Sequence, residues 1–406
     1  MSTVKGSDYM LLQFKFKNHK CFYDECVLDL MATSEKRHSE ELLEKNNYKV
    51  LPVIAIHGAN ASGKSSVLEA LSFMFETIKN NQNTDVTNDV MTNPFAFSDK
   101  QRDSEYEVSI NVNDYEYRYG FSANKDGFNQ EWLYKKKFVC DSRTKQSLIF
   151  EREKENVTFG SNYSKYENTW KLFNKASESS KLLVLSMIAR KEENGIFRDI
   201  YDYICKFSFK AENIFRPRMS IDILNNDDIL FDKFQKIINE FDPCLIGINI
   251  KKLEDENGRK IYSISGKHRN IDKPNETILL PLVRESDGTI KIFNIMPTIL
   301  KNLLIGGILC VDELDVELHP LLFRKIVNMY KDKSINKNNA QLIFTSHSTF
   351  MLNSNDLRRD QIYLVQKDEF GKSELYSLSE FRNLRIDADY EKKYLTGEFG
   401  AIPFDN

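Results

Sequence analysis

The run Gly58-Ala59-Asn60-Ala61-Ser62-Gly63-Lys64-Ser65 combines glycines, a cation and a hydroxyl at the spacing of a phosphate-binding loop. Glycines let successive backbone N–H groups curl around an anion, and a helix starting here adds the positive end of its dipole. Lys64 is then placed to reach the β- and γ-phosphates of ATP. The Ser65 hydroxyl is an oxygen ligand for Mg²⁺, and Ser66 belongs to the same first turn.

Two further constellations suit the same chemistry. Ile308-Leu309-Cys310-Val311 runs into Asp312-Glu313, an apolar strand ending in two carboxylates. Asp312 would hold the Mg²⁺ shell, and Glu313 would polarise the attacking water as general base. Gln341-Leu342-Ile343-Phe344-Thr345-Ser346-His347 is a second such strand, ending in a histidine placed to bond the γ-phosphate and sense its loss.

These groups need a scaffold that delivers strand ends to one place. Val53–Ile56 is a short apolar run, and Ser65–Lys79 carries apolar residues at helical spacing, so the loop joins a strand to a helix. Ile308–Val311, Gln341–Thr345 and Gln361–Val365 are further core strands, with a helix near Leu321–Tyr330, which implies a mainly parallel sheet covered on both faces. Before it, Leu11–Phe16 and Cys26–Leu30 alternate as a hairpin around the turn Asn18–Phe22. Glu105–Phe159 reads as an antiparallel meander, and the period becomes helical between Lys165 and Asn239. Leu245–Ile250, Lys260–Ser265 and Thr277–Val283 read as strands, and Gly288 onward as a helix. No stretch sustains the heptads of a long coiled-coil arm.

With 406 residues, 41% hydrophobic and 29% charged, the chain can bury a large core. A net charge of −3 gives no global attraction for nucleic acid or anionic lipid; Lys135–Lys137 and Arg358–Arg359 are short basic runs that read as solvated surface. The cysteines at 21, 26, 140, 205, 244 and 310 lack zinc or redox-motif spacing and read as reduced thiols. With no signal pattern and no apolar run long enough to span a bilayer, the expected location is the cytoplasm, with no membrane partner.

The order of phosphate loop, acid pair and histidine resembles the ABC-type ATPases, from the opening hairpin to Val365. The resemblance implies an α/β P-loop NTPase head with a mainly parallel core sheet, an antiparallel β flank and a helical lobe. It also makes Glu285-Ser286-Asp287-Gly288-Thr289 a degenerate signature motif, whose Ser286 and Gly288 cap the γ-phosphate held by a second protomer. Read from the residues alone, a helix N-terminus at Thr289 beside Ser286 and Gly288 is a phosphate-binding end, or else an ordinary N-capped turn. Leu314-Asp315 resembles the D-loop, with Asp315 across the interface, and Leu318-His319-Pro320 the start of the next helix. The implied assembly is a head-to-tail dimer, or a higher homo-oligomer, around two ATP molecules. One departure is the Q-loop, for which Gln130 is the only candidate and no residue is assigned.

More narrowly, the Asn18–Phe22 turn, Pro94-Phe95, the signature, Leu357–Val365 and the tail Tyr394–Pro403 resemble ATPases of bacterial abortive-infection and other phage-defence operons. That resemblance implies a sensor or regulatory subunit acting beside an effector encoded next door. The rivals are a DNA maintenance ATPase resembling RecF or SMC heads, which would bind nucleic acid through a local groove, and a transporter ATPase. A fused Toprim nuclease is disfavoured, because the tail after Val365 holds no acidic cluster for catalytic metals. The expected division is an N-terminal ATPase part over 1–160, a helical lobe over 161–250, a C-terminal ATPase part over 251–375 and a tail over 376–406.

Overall fold

The structure is a computed structural model describing residues 9–45, 48–83, 89–138, 145–173, 179–210, 217–254, 260–382, 384–385 and 388–402. Cys140 and Pro403, both named above, lie outside these residues.

The centre is a six-stranded sheet in the order Ser208–Lys210, Ile308–Val311, Gln341–Thr345, Val53–Gly58, Ile362–Lys367, Ser373–Ser377. Every neighbouring pair is parallel except the last, so only the final strand runs back. Strands buried on both faces must be apolar at every position, and here successive side chains feed two different cores. Ile54, Ile56, Ile308, Cys310, Ile343, Tyr363 and Val365 face one core. Val53, Ala55, Leu309, Val311, Leu342, Phe344, Ile362 and Leu364 face the other.

The first core lies against the helix Lys64–Asn80, whose Val67, Leu68, Leu71, Met74, Phe75 and Ile78 form its buried stripe. Beyond this helix lies a seven-stranded antiparallel sheet, in which Tyr9–Lys17 pairs with Cys26–Asp29 and Ser104–Val112, and the meander continues to Asn156–Phe159. The second core is covered by the helices Asp228–Phe241, Asp287–Ile305 and Pro320–Lys331, and by the three-stranded sheet of Leu245–Glu254, Lys260–Arg269 and Thr277–Pro281.

Three buried polar anchors join the layers. The fully buried Gln341 side chain accepts from Leu11 N at 2.7 Å and donates to Leu11 O at 2.9 Å and Leu51 O at 3.2 Å, tying the first strand to the central sheet. Glu131, also buried, accepts from Val184 N and Leu185 N and caps the helix Val184–Lys191. Arg358 is not solvated surface, because its guanidinium is buried, paired with Asp360 at 2.7 Å and bonded to the carbonyls of Thr33, Glu35 and Arg37. Arg359 pairs with Glu35 at 3.3 Å. This basic run clamps an N-terminal loop, a use that charge counting along the chain does not register.

Among the described residues no helix is long and apolar enough to cross a membrane. The cysteines at 21, 26, 205, 244 and 310 are free thiols.

Candidate nucleotide site

The loop Gly58–Ser65 joins the central strand Val53–Gly58 to the helix Lys64–Asn80. Two of its glycines are fixed by close approach. A Cβ on Gly58, at φ +152°, would stand 2.4 Å from the carbonyl oxygen of Val365. On Gly63, at φ +114°, it would stand 2.5 Å from Cys21 Sγ. Ala61 adopts a left-handed conformation, φ +61°, where an L-residue is strained. The helix N-terminus has no side-chain cap and no acid in its first turn, so its free N–H groups are left for an anion.

Lys64 is buried, and its ammonium donates to Gly58 O at 2.9 Å and Ala59 O at 3.0 Å, spanning the loop. Burial pulls its pKa down, against the raising pull of Glu313, Asp312 and Asp315. Beneath the loop His57 is completely enclosed, its Nε2 has no hydrogen-bond partner, and its pKa is pushed down to about 3 by burial and by the charges of Lys64 and His347. It is a neutral imidazole.

The acid-bearing strand Ile308–Val311 does not adjoin the loop strand. Gln341–Thr345 lies between them, and the side chain at its end bridges the gap. Thr345 Oγ1 donates to Asp312 Oδ1 at 2.6 Å and accepts from Glu313 N at 2.7 Å. Ser65 Oγ donates to the same Asp312 oxygen at 3.1 Å. Glu313 is held at φ +49°, a strained backbone, with Lys291 Nζ 3.4 Å from its carbonyl oxygen. Its carboxylate Oε1 lies 3.0 Å from His347 Nε2, a contact that needs the proton on that nitrogen. Asp315 accepts from the backbone N–H groups of His347 and Ser348, fixing the turn that presents the imidazole.

Asn60, Ala61, Gly63, Lys64, Ser65, Ser66, Glu313 and His347 line one open cleft of about 600 Å³, together with Lys20, Cys21 and Lys367. Three lining cations, Lys20, Lys64 and Lys367, against one lining carboxylate, Glu313, suit a polyanion. Ser65 and Asp312 offer adjacent hard oxygen donors beside the uncapped helix end, a set that fits Mg²⁺.

The signature residues stand apart from this cleft. Ser286 is the N-cap of the helix Asp287–Ile305, accepting from Thr289 N at 3.2 Å, while Thr289 Oγ1 donates to Asp242 Oδ2 at 3.0 Å. The helix therefore starts two residues before Thr289, and its end is already capped. Gly288 packs against the turn that follows Asp315, where a Cβ would meet Glu317 O at 3.0 Å. His319 caps the helix that Pro320 opens, as the Leu318-His319-Pro320 run suggests. Gln130 lines a different cleft with Glu107, Arg118 and Trp132, away from the nucleotide loop.

The family described as "AAA domain, putative AbiEii toxin, Type IV TA system" matches residues 53–180 and 218–353, a span that takes in both the loop and the acid-bearing strand. The chain belongs to this family. It is thus a P-loop ATPase of the AAA type in the AbiEii group. Among solved structures this AbiEii-group chain is similar to the "SMC head domain from Thermotoga maritima", at 14% identity over 90% of this chain and 98% of that one, with a TM-score of 0.41. It is also similar to "Structure of the recombination mediator protein RecF-ATP in RecFOR pathway", at 13% identity over 93% and 100%, with a TM-score of 0.36. No curated protein matches it.

Sequence reasoning missed Thr345, Lys20, Cys21 and Lys367. Thr345 stands next to Ser346-His347 at a strand end, where a hydroxyl after three apolar residues was the available signal. Lys20 and Cys21 reach the cleft from a turn and Lys367 from the end of a strand, and nothing in their spacing marks them.

Proposed function

We propose that this chain binds ATP with Mg²⁺ and hydrolyses it, using the closed and open states of a head-to-tail dimer as a switch. The observation that carries the reading is the continuous hydrogen-bonded line Ser65–Asp312–Thr345–Glu313–His347, which joins the cleft-lining Ser65 to the cleft-lining Glu313 and His347 through two buried side chains.

Loop N–H groups, the helix end and Lys64 would cradle the phosphates. Mg²⁺ bound by Ser65 and Asp312 would neutralise phosphate charge. The Glu313 carboxylate takes a proton from water, the water oxygen bonds the γ-phosphorus, and the bond to the ADP oxygen breaks, giving ADP and phosphate. His347 holds Glu313 before substrate arrives and turns to the γ-phosphate once it is bound. Ser286 and Gly288 lie outside the cleft, which supports their serving a second protomer's nucleotide. Asp315 anchors the histidine turn from the same edge.

Glu313→Gln tests this directly. Phosphate release should fall by about 100-fold or more, and ATP should hold the variant as a dimer in size-exclusion chromatography. Turnover equal to that of the unaltered chain would remove Glu313 from the mechanism.

The family's name, with its toxin and toxin–antitoxin terms, supports a cytoplasmic regulatory ATPase in phage defence whose nucleotide state holds or releases an effector from a neighbouring gene. Capture from the native host on the Glu313→Gln protein with ATP should return one stoichiometric protein. Nuclease-sensitive DNA without a protein would favour a maintenance ATPase instead.

A further inference from the structure

Each half of the split nucleotide site is bordered by an exposed apolar patch. Beside the cleft Phe97 is 76% exposed and Phe370 72%. Phe97 lies against the turn that carries Phe370, since a Cβ on Gly371 would be 3.0 Å from its ring. Behind it Phe95 stacks edge-on against Phe97 at 5.6 Å and against Tyr23 at 5.3 Å. The patch is continuous with the cleft: Lys367 lines the cleft and leads into the turn, and Lys20, also on the cleft wall, donates from its backbone to Asn93 O at 2.7 Å.

At the signature end, Thr277–Pro281 is the outer strand of the three-stranded sheet, and its far edge pairs with no other strand among the described residues. It leads through Leu282–Arg284 into Ser286. Ile278, Leu279 and Val283 are at least half exposed here. Ile278 and Leu279 point to opposite faces of this edge strand, and exposed apolar groups on an open strand edge beside a functional site mark a contact surface.

The strand edge is cationic, and the cleft patch is mixed, with Lys367 ahead of two carboxylates and Arg102 over the Tyr23 ring. Lys267 stands across from Leu279 and Arg269 across from Thr277, on a face of these strands that carries no described carboxylate, and Arg284 follows Val283. At the cleft Asp368 and Glu369 precede Phe370, while Lys372 is tied to Asp24 and Asp99 and Lys100 offset each other. Neither Glu369, Arg269 nor Arg284 has an ionic partner among the described residues.

We propose that these patches are the two sides of one interface between copies of this chain. The Phe97–Phe370 rim of one protomer packs on the Ile278–Val283 edge of its partner, with Glu369 facing Arg269 and Arg284. The contact occurs twice in a two-fold dimer and seats each Ser286 over the other protomer's cleft. It rests on the dimer reading above and adds what selects and aligns the partner. Rim charges of this kind set specificity and encounter rate, and the apolar centre sets lifetime.

The test uses the full chain carrying Glu313→Gln, with ATP, and measures dimer affinity by sedimentation. Glu369→Lys, or Arg269→Glu with Arg284→Glu, should each weaken the dimer about tenfold or more. Combining both reversals should recover most of that loss, because the ion pairs re-form with opposite sense. ATP binding to the separated protomers should not change, since none of these residues lines the cleft. A parent that stays monomeric with ATP refutes the dimer itself. A parent that dimerises while the single reversals leave its affinity unchanged, or while the combination shows no recovery, refutes only the pairing of the patches.

Discussion

Thr345→Val removes one hydroxyl and leaves the shape of the side chain nearly intact. That hydroxyl donates to the buried Asp312 carboxylate at 2.6 Å and accepts the Glu313 N–H at 2.7 Å. A hydrogen bond to an ionised group contributes about 1.5–3 kcal/mol and a neutral one about 0.5–1.5 kcal/mol. Losing both should therefore cost about 2–4 kcal/mol of folding stability, read as a lower urea midpoint at unchanged slope. Catalysis should suffer separately, because the Glu313 backbone is held in a strained conformation partly through this bond. A loss of about 1.4 kcal/mol in transition-state alignment corresponds to tenfold in rate. Steady-state phosphate release at saturating ATP and Mg²⁺, at a urea-free temperature where the variant is fully folded, should fall about tenfold or more. Thr345→Ser, which keeps the hydroxyl, should recover most of it. If the valine variant turns over within twofold of the unaltered chain, the bridge does not position the acids and the argument fails.

Two other outcomes follow from the site. His57 has a folded pKa near 3 against an ordinary value of 6.5, so the unfolded chain binds its proton first as pH falls. Stability linked to this residue is complete above about pH 6.5 and is lost on acidification, at up to about 1.4 kcal/mol per pH unit; urea titrations should show His57→Gln losing less stability than the unaltered chain between pH 6.5 and 5. Cys21 is half-buried on the cleft wall, whereas Cys244 is exposed elsewhere; in a Cys244→Ser background, maleimide labelling of Cys21 should slow several-fold with Mg-ATP, and labelling indifferent to nucleotide would place the ligand elsewhere.

Much of the core sheet was legible because a strand buried on both faces is apolar along its run, as Val53–Ile56 and Ile308–Val311 are throughout and Leu342–Phe344 is between its two polar ends. Their order in the sheet was not legible. Nothing in Gln341–Thr345 says that it inserts between the loop strand and the acid-bearing strand, and so nothing says that its terminal threonine becomes the bridge. The loop itself was readable from spacing, since each position has a steric or charge reason. The signature was readable only by resemblance: Ser286 behaves locally as an N-cap, the same part that the bare sequence of a Ser-Asp-Gly turn suggests. Arg358 shows the limit from the other side, because whether a charged side chain is buried depends on loops distant in the chain. Short polar-edged strands such as Ser208–Lys210 and Ser373–Ser377 carry too few residues for any period to register.

The placement of Val53–Gly58 also dictates an order of events during synthesis. Both its neighbours, Gln341–Thr345 and Ile362–Lys367, leave the ribosome long after it does, the nearer one roughly 280 residues later, which is about 15–60 s at 5–20 residues per second. Through that interval the apolar strand below the loop has two open edges, and the antiparallel layer must assemble without the sheet it finally rests on. ATP therefore has no formed site to bind while the chain is being made, and nucleotide cannot assist its early folding. The loop, first of the site's parts to be synthesised, is among the last to become competent.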